Sequence, residues 1–230
     1  MTVALMPKIP GKLPNGLPPV EPGDHLDQPT FHERYKAMPE HIRAELIGSV
    51  VYMSSPVKAD HGDTHGELIA WLKWYKSATP GTRALNDTTH ILGDDSEPQP
   101  DAALIVIDGQ TRLTDDGYLE GPPEFAAEVA SSSESYDLHS KKADYERHGV
   151  GEYLVLMLRL RQVVWFVRAG GQFAEMPPGP DGVYRSRIMK GLWLDPAALF
   201  AGDTRRVQEV LNEGLRSAEH AAFVAGLQKA

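Results

Sequence analysis

The chain contains no cysteine in its 230 residues. Disulfide staples, thiolate metal sites and cysteine nucleophiles are thereby excluded, and a reducing, cytoplasmic setting is expected. No apolar run approaches the roughly 20 residues that a membrane helix needs. The opening MTVALMPKIPGKLPNGLPPVEPGD has neither the charged start nor the unbroken apolar stretch of a secretory leader, so none is expected. A phosphate-binding P-loop is missing, and so is a dinucleotide fingerprint. Gly170-Gly171 lies between two strand-like runs with no helix behind it. No G-x-S-x-G elbow surrounds Ser131, Ser132 and Ser133, which are read as loop and helix-capping residues rather than nucleophiles. Positive charge is also scarce. With 23 Lys and Arg against 32 Asp and Glu, the net charge of −9 argues against a broad phosphate-binding surface.

What is present suits one soluble domain with elaborations. A hydrophobic fraction of 41% and a charged fraction of 24% allow a real core. Residues 1–29 repeat Pro and Gly without a hydrophobic period and read as a mobile or surface-draped arm. Thr30 is placed to cap a short helix, FHERYKAM, ended by Pro39. RAELI and SVVYMSS form a hairpin around Gly48 and Ser49. Leu68, Leu72 and Tyr75 share one face of a helix running from His61 to about Ala78. Strands are expected at TRALNDTTHIL, DAALIVI and EFAAEVA, with a polar loop from Asp108 to Pro123. A helix stopped by Gly149 leads to EYLVLML, QVVWFVR and QFAEM, and VYRSRIM adds an edge strand. Residues 201–230 form a helical tail, broken near Gly214, behind a domain spanning 30–200. Strands and helices are mixed without repeats, so the class is α/β or α+β, a mixed sheet flanked by helices.

The chemistry gathers around two acids on apolar strands. Asp101 opens one buried run after Pro100, and Glu128 lies near the end of the next. Desolvating a carboxylate is costly, so each needs a reason to be there. Two converging carboxylates repel, and a divalent cation relieves that repulsion; hard oxygen ligands suit Mg²⁺ or Mn²⁺. The alternative is that either acid points to solvent or meets an Arg. Behind Glu128, Lys141 and Tyr145 are four residues apart on one helix face, with Asp137 one turn earlier. An ammonium there can stabilise charge on an attacked phosphate, or it can be an ordinary solvated lysine. The negative net charge does not exclude such chemistry, because a bound divalent ion reverses the local sign.

The runs RAELIGSVVYMSSPVKADHG, EPQPDAALIV and PPEFAAEVASSSESYDLHSKKADYERHGVGEYLVL resemble, in order, the bacterial Uma-two type endonucleases. These belong to the PD-(D/E)xK restriction-endonuclease-like superfamily. The resemblance covers about residues 30–190 and implies a restriction-endonuclease-like core of helix, three-stranded meander, helix and strand, to which the hairpin is an N-terminal extension and the tail a C-terminal helix. It makes Pro100-Asp101 the PD element and Glu128 the second acidic metal ligand. Glu45 becomes a further acid near the metal, and His61 matches a family histidine, here a polar neighbour of a phosphate. The superfamily lysine would stand two residues after Glu128, where this chain has Ala130. The family pattern D-x-x-x-K-x-x-x-Y moves that role to Lys141 rather than Lys142. Implied are Mg²⁺ or Mn²⁺ as cofactor, DNA as substrate and phosphodiester hydrolysis as reaction.

Two other readings stay open at this point. A catalytically silent module would keep the fold for nucleic-acid or protein binding. A zinc hydrolase would use His61 and His65, which are spaced to chelate on a helix but have no third ligand fixed nearby. Trp71, Trp74 and Tyr75 can stack bases, although core packing or a homodimer surface accounts for them as well.

Overall fold

The structure is a computed structural model that describes residues 11–54, 57–131 and 133–228. Ser132 and the first ten residues of the N-terminal arm lie outside them. The order begins α1 (Gln28–Lys36), β1 (Ala44–Ile47), β2 (Val50–Met53), α2 (Ala59–Ala78), β3 (Thr82–Asn86), β4 (His90–Ile91) and β5 (Ala102–Val106). It continues β6 (Arg112–Leu113), β7 (Leu119–Glu120), β8 (Phe125–Ala130), α3 (Glu134–Tyr136), a π turn (Asp137–Lys141) and α4 (Lys142–His148). The remainder is β9 (Glu152–Met157), β10 (Gln162–Ala169), β11 (Gln172–Glu175), β12 (Tyr184–Arg185), β13 (Trp193–Leu194), α5 (Pro196–Ala201), α6 (Thr204–Leu215) and α7 (Ala218–Leu227).

Six strands form the central sheet in the order β11-β10-β9-β8-β5-β3. Among the described strands of this sheet, β8 and β9 are the parallel pair, joined by the crossover through α3, the π turn and α4. Both strands are buried along their whole length, which explains their near-continuous apolar character. One sheet face carries Phe125, Ala127 and Val129 against Leu68, Trp71, Leu72 and Tyr75 of α2, with Val207 and Leu211 of α6 beyond. The other face carries Ala126 and Ala130 against Tyr145 of α4 and Tyr153 of β9. Side chains alternate along a strand, so Glu128 shares this second face.

A third cluster seats the β1–β2 hairpin on α1 and includes Val20, Phe31, Ala44, Leu46 and Val51. Val20 is fully buried, so this part of the Pro- and Gly-rich segment packs against the domain. The hairpin turn puts both Gly48 and Ser49 at positive φ, 56° and 65°. That is the tight two-residue turn whose twist suits paired strands.

Several local expectations change. α1 is capped by Asp27, whose side chain accepts from the Thr30 N–H, rather than by Thr30 itself. Both residue types cap, and the one that starts the turn is fixed by the bridge and backbone contacts of residues 25–28. The loop from Asp108 to Pro123 contains β6 and β7, which join β4 in a small separate sheet. Two-residue strands as exposed as Arg112–Leu113 leave no hydrophobic period to read. β12 pairs with β13 and not with the central sheet. α6 runs through Gly214, and the break comes at Ser217, which caps α7 through the His220 N–H. Trp71 and Tyr75 belong to the core, and the Trp71 indole donates to the Trp193 carbonyl at 2.9 Å. Trp74 is 45% exposed and donates to Asn212 Oδ1. No helix among the described residues is long and apolar enough to cross a membrane.

The small sheet yields a prediction about pH. His90 is buried, its Nδ1 lies 3.4 Å from the Gly121 carbonyl, and its Nε2 has no partner among the described residues. Burial pushes its pKa down from 6.5 to about 4. The folded state therefore keeps the ring neutral where the unfolded chain protonates it. Stability from this residue is full above pH 6.5, falls as the pH drops, and is lost by about pH 4. The loss amounts to about 3 kcal/mol. Urea titrations from pH 7 to 4 should show a shallower acid limb in His90→Gln than in wild type. Parallel limbs would show that His90 does not set it.

Candidate active site

The ladder between β5 and β8 ends at the pair Ala102 and Ala127. One register step further, Asp101 faces Glu128 across the two antiparallel strands, on the same side of the sheet. Like charges directly opposite one another destabilise a sheet. Here the strand pairing gives way instead: the Val129 N–H donates to Asp101 Oδ2 at 2.7 Å. A side chain thus replaces a backbone acceptor, and the acid is fixed at the point where the ladder stops.

Glu128 is 5% exposed and meets two groups from the crossover. Lys141 Nζ lies 2.8 Å from Glu128 Oε1, and the Tyr145 hydroxyl donates to the same oxygen at 3.1 Å. Asp137, Lys141 and Tyr145 are all buried, and the five residues from Asp137 to Lys141 form the π turn. Single π turns inside α-helices are frequent at functional sites. Lys141 also reaches Glu45 Oε1 on β1 at 2.8 Å, and that oxygen accepts from the Gln99 N–H at 2.6 Å. The ammonium thus stands between two carboxylates from different sheets. Lys142, its neighbour, lies over the Phe166 ring at 4.9 Å.

Glu45, Asp101, Glu128, Asp137 and Lys141 line one cleft of about 460 Å³. Glu45, His61, Asp101, Glu128 and Lys141 are all on its wall, so the structure brings the five residues singled out from the sequence together. Arg43, Lys58, His65, Asp87, Tyr136 and Asp137 also line it. His61 Nε2 is 3.8 Å from Asp101 Oδ2, and His65 Nε2 is 2.7 Å from the Asp101 backbone carbonyl. The two imidazole rings, 6.0 Å apart, each have a nitrogen close to Asp101. Nothing in the sequence marks Asp87, Asp137 and Tyr136 as members of this group. Asp87 sits in a polar segment with φ of 47°, and Asp137 offers only its helical spacing to Lys141.

The electrostatics follow from burial and from the excess of acids. Burial pushes Asp137 up to about 6, against the pull of Lys141 and with added repulsion from Glu45 and Asp101. Burial likewise raises Glu128 well above the usual carboxylate range, with Asp101, Asp137 and Glu45 adding to it. Burial disfavours the Lys141 ammonium, but Glu128 and Glu45 outweigh it and hold the group charged. The Tyr136 hydroxyl is buried in the same wall with no partner among the described residues, and burial raises its pKa.

The donor set fits a hard divalent cation. Asp101 has committed Oδ2 to Val129, and Glu128 has committed Oε1 to Lys141 and Tyr145. Each keeps a second carboxylate oxygen, and the two residues are cross-strand neighbours. A buried acid beside a half-buried one, each with a free oxygen, offers the hard donors that Mg²⁺ or Mn²⁺ takes.

The family described as "Uma2: Putative restriction endonuclease" matches residues 29–197. The chain belongs to this family. A solved structure described as "a putative nuclease belonging to DUF820 from Anabaena variabilis ATCC 29413" shares the fold, with a TM-score of 0.61 and 14% sequence identity. The match covers 74% of this chain and 96% of that one. No curated protein matches the sequence. The Uma2 assignment agrees with the mixed sheet flanked by helices described above, and it marks the chain as a member of a nuclease family.

Proposed function

We propose that this Uma2 protein is a cytoplasmic, metal-dependent endonuclease that hydrolyses phosphodiester bonds of DNA. One observation carries the reading. Two cross-strand carboxylates, Asp101 and Glu128, each anchored through one oxygen, share a cleft with a buried, charged lysine. Asp101 and Glu128 would hold Mg²⁺ or Mn²⁺, with Glu45 supporting it through Lys141. The bound ion supplies charge neutralisation at the phosphate and a more acidic water.

The chain's own residues do the rest. Glu128 and Glu45 keep Lys141 protonated, so its ammonium is available to stabilise negative charge on the attacked phosphate. Tyr145 holds Glu128 in place through its hydroxyl. His61 stands beside Asp101 as a polar neighbour for a phosphate oxygen. Arg43 and Lys58 on the cleft wall provide local positive charge that a chain of net charge −9 otherwise lacks.

The deciding experiment is single-turnover cleavage of labelled single- and double-stranded DNA, with and without Mn²⁺. Cleavage that needs the ion and disappears in Asp101→Asn supports the reading. Wild-type protein that cuts none of the substrates would leave the silent binding module in its place. Asp101→Asn also has a stability signature. The amide oxygen can still accept from Val129 N–H while one of several crowded charges is removed, so the apo melting temperature should hold or rise slightly. Stabilisation of the wild type by Mn²⁺, about 2.7 kcal/mol at a hundredfold excess over Kd, should vanish in the variant. A variant that melts far below wild type would assign Asp101 a structural role instead.

A further inference from the structure

Asp101 has neighbours besides Glu128. Ligand-type atoms of His65, Asp87 and Asp101 lie within 4.8 Å of one another. The three residues come from separate parts of the chain: α2, the segment after β3, and the start of β5. Their convergence therefore comes from the tertiary fold and not from local spacing.

The details favour a cation there. His65 Nε2 faces the Asp101 carbonyl at 2.7 Å, and a carbonyl can only accept. The ring proton is thus on Nε2, which leaves the lone pair on Nδ1. Metal-binding imidazoles are commonly fixed in this way, through a carbonyl on the other ring nitrogen. The buried cation of the cleft, Lys141, is occupied by Glu45 and Glu128. For Asp87 the nearest ion-pair partner is Arg43 at 4.0 Å, with both side chains well exposed. The charge on Asp87 and Asp101 is thus only weakly compensated. His61 adds a second imidazole 3.8 Å from Asp101 Oδ2, and it makes no hydrogen bond among the described residues.

We infer that His65, Asp87 and Asp101 form a second cation position for a first-row transition ion, with Asp101 shared between it and the position at Glu128. One nitrogen and two carboxylates favour Mn²⁺, Co²⁺ or Zn²⁺ over Mg²⁺ and Ca²⁺, whereas the all-oxygen position discriminates less. The inference rests on the proposed role of Asp101 as a metal ligand. It adds that the cleft holds two ions, and that histidine makes the second one selective.

The test uses the full chain, with Mn²⁺ as the probe. Calorimetric titration should give two Mn²⁺ per chain in wild type and one in Asp87→Asn. Glu128→Gln should also bind one, and electron-spin-echo spectra of that ion should show nitrogen modulation from a histidine. The modulation should vanish in His65→Ala. Excess Mg²⁺ should displace only one of the two wild-type ions. Because His65→Ala also removes a contact to the Asp101 carbonyl, the exposed Asp87→Asn change keeps the test independent of folding. A single Mn²⁺ in wild type that Asp87→Asn leaves in place overturns the inference. So does a second ion without nitrogen modulation. Two ions bound without any DNA cleavage would overturn the proposed function and leave this site standing; cleavage with one ion bound would do the reverse.

Discussion

Lys141→Ala should reduce Mn²⁺-dependent DNA cleavage by roughly 10²–10³, the usual cost of losing one preorganised donor to a developing charge. The same change should lower apo stability by about 3–5 kcal/mol, because it leaves buried Glu128 and half-buried Glu45 without their shared cation. The two effects separate on adding metal. An ion placed against Glu128 replaces part of the missing charge, so Mn²⁺ should recover stability in the variant but not rate. Lys142→Ala is the matched control. Its side chain is rotated about 100° around the helix and lies over Phe166. Little change in rate is expected from it. Equal losses in the two variants would mean that both lysines act only by general phosphate attraction, which should then fade with added salt.

Glu152→Ala should destabilise the protein by about 3 kcal/mol or more, with no direct effect on metal binding. Glu152 is fully buried at the start of β9 and accepts from Ser186 Oγ and the Arg187 N–H at 2.6 Å each, and from the Ile188 N–H at 3.0 Å. Burial raises its pKa, while those three donors pull it back down. The turn it holds carries Met189 and Leu192 into the main core. Removing the acceptor strands three donors, and each unsatisfied buried group costs about 1–3 kcal/mol. Chemical denaturation of Glu152→Ala and Glu152→Gln would measure this. The amide keeps one acceptor oxygen and should lose less. An alanine variant as stable as wild type would show that water satisfies the turn.

Much of this arrangement is legible in the sequence, for identifiable reasons. An acid inside an apolar run is conspicuous, and so Asp101 and Glu128 stand out. The interval of four between Asp137, Lys141 and Tyr145 survives as one buried face even though a π turn interrupts the helix. The hairpin is readable because Gly48 marks a turn between two apolar runs. What composition and spacing do not give is register. That Asp101 faces Glu128 follows from β5 pairing with β8 at Ala102 and Ala127, a long-range fact with no local signature. Asp87 joins the cleft for the same kind of reason, and the polar segment around it looks like any surface turn. His65 resembles a surface or capping histidine until the fold brings the Asp101 carbonyl to it. Thr30 and Asp27 compete for one helix start, and propensity does not separate them.

The bond from Val129 to Asp101 also bears on how such a family can change over time. Aspartate and asparagine codons differ by a single base, and both side chains offer an oxygen to that N–H. With the role proposed for Asp101, one mutation would therefore silence the cleft while the strand end stays tied. Descendants of an active nuclease would then keep their shape after the chemistry has gone. At position 101, inheritance of the architecture is separable from inheritance of the reaction.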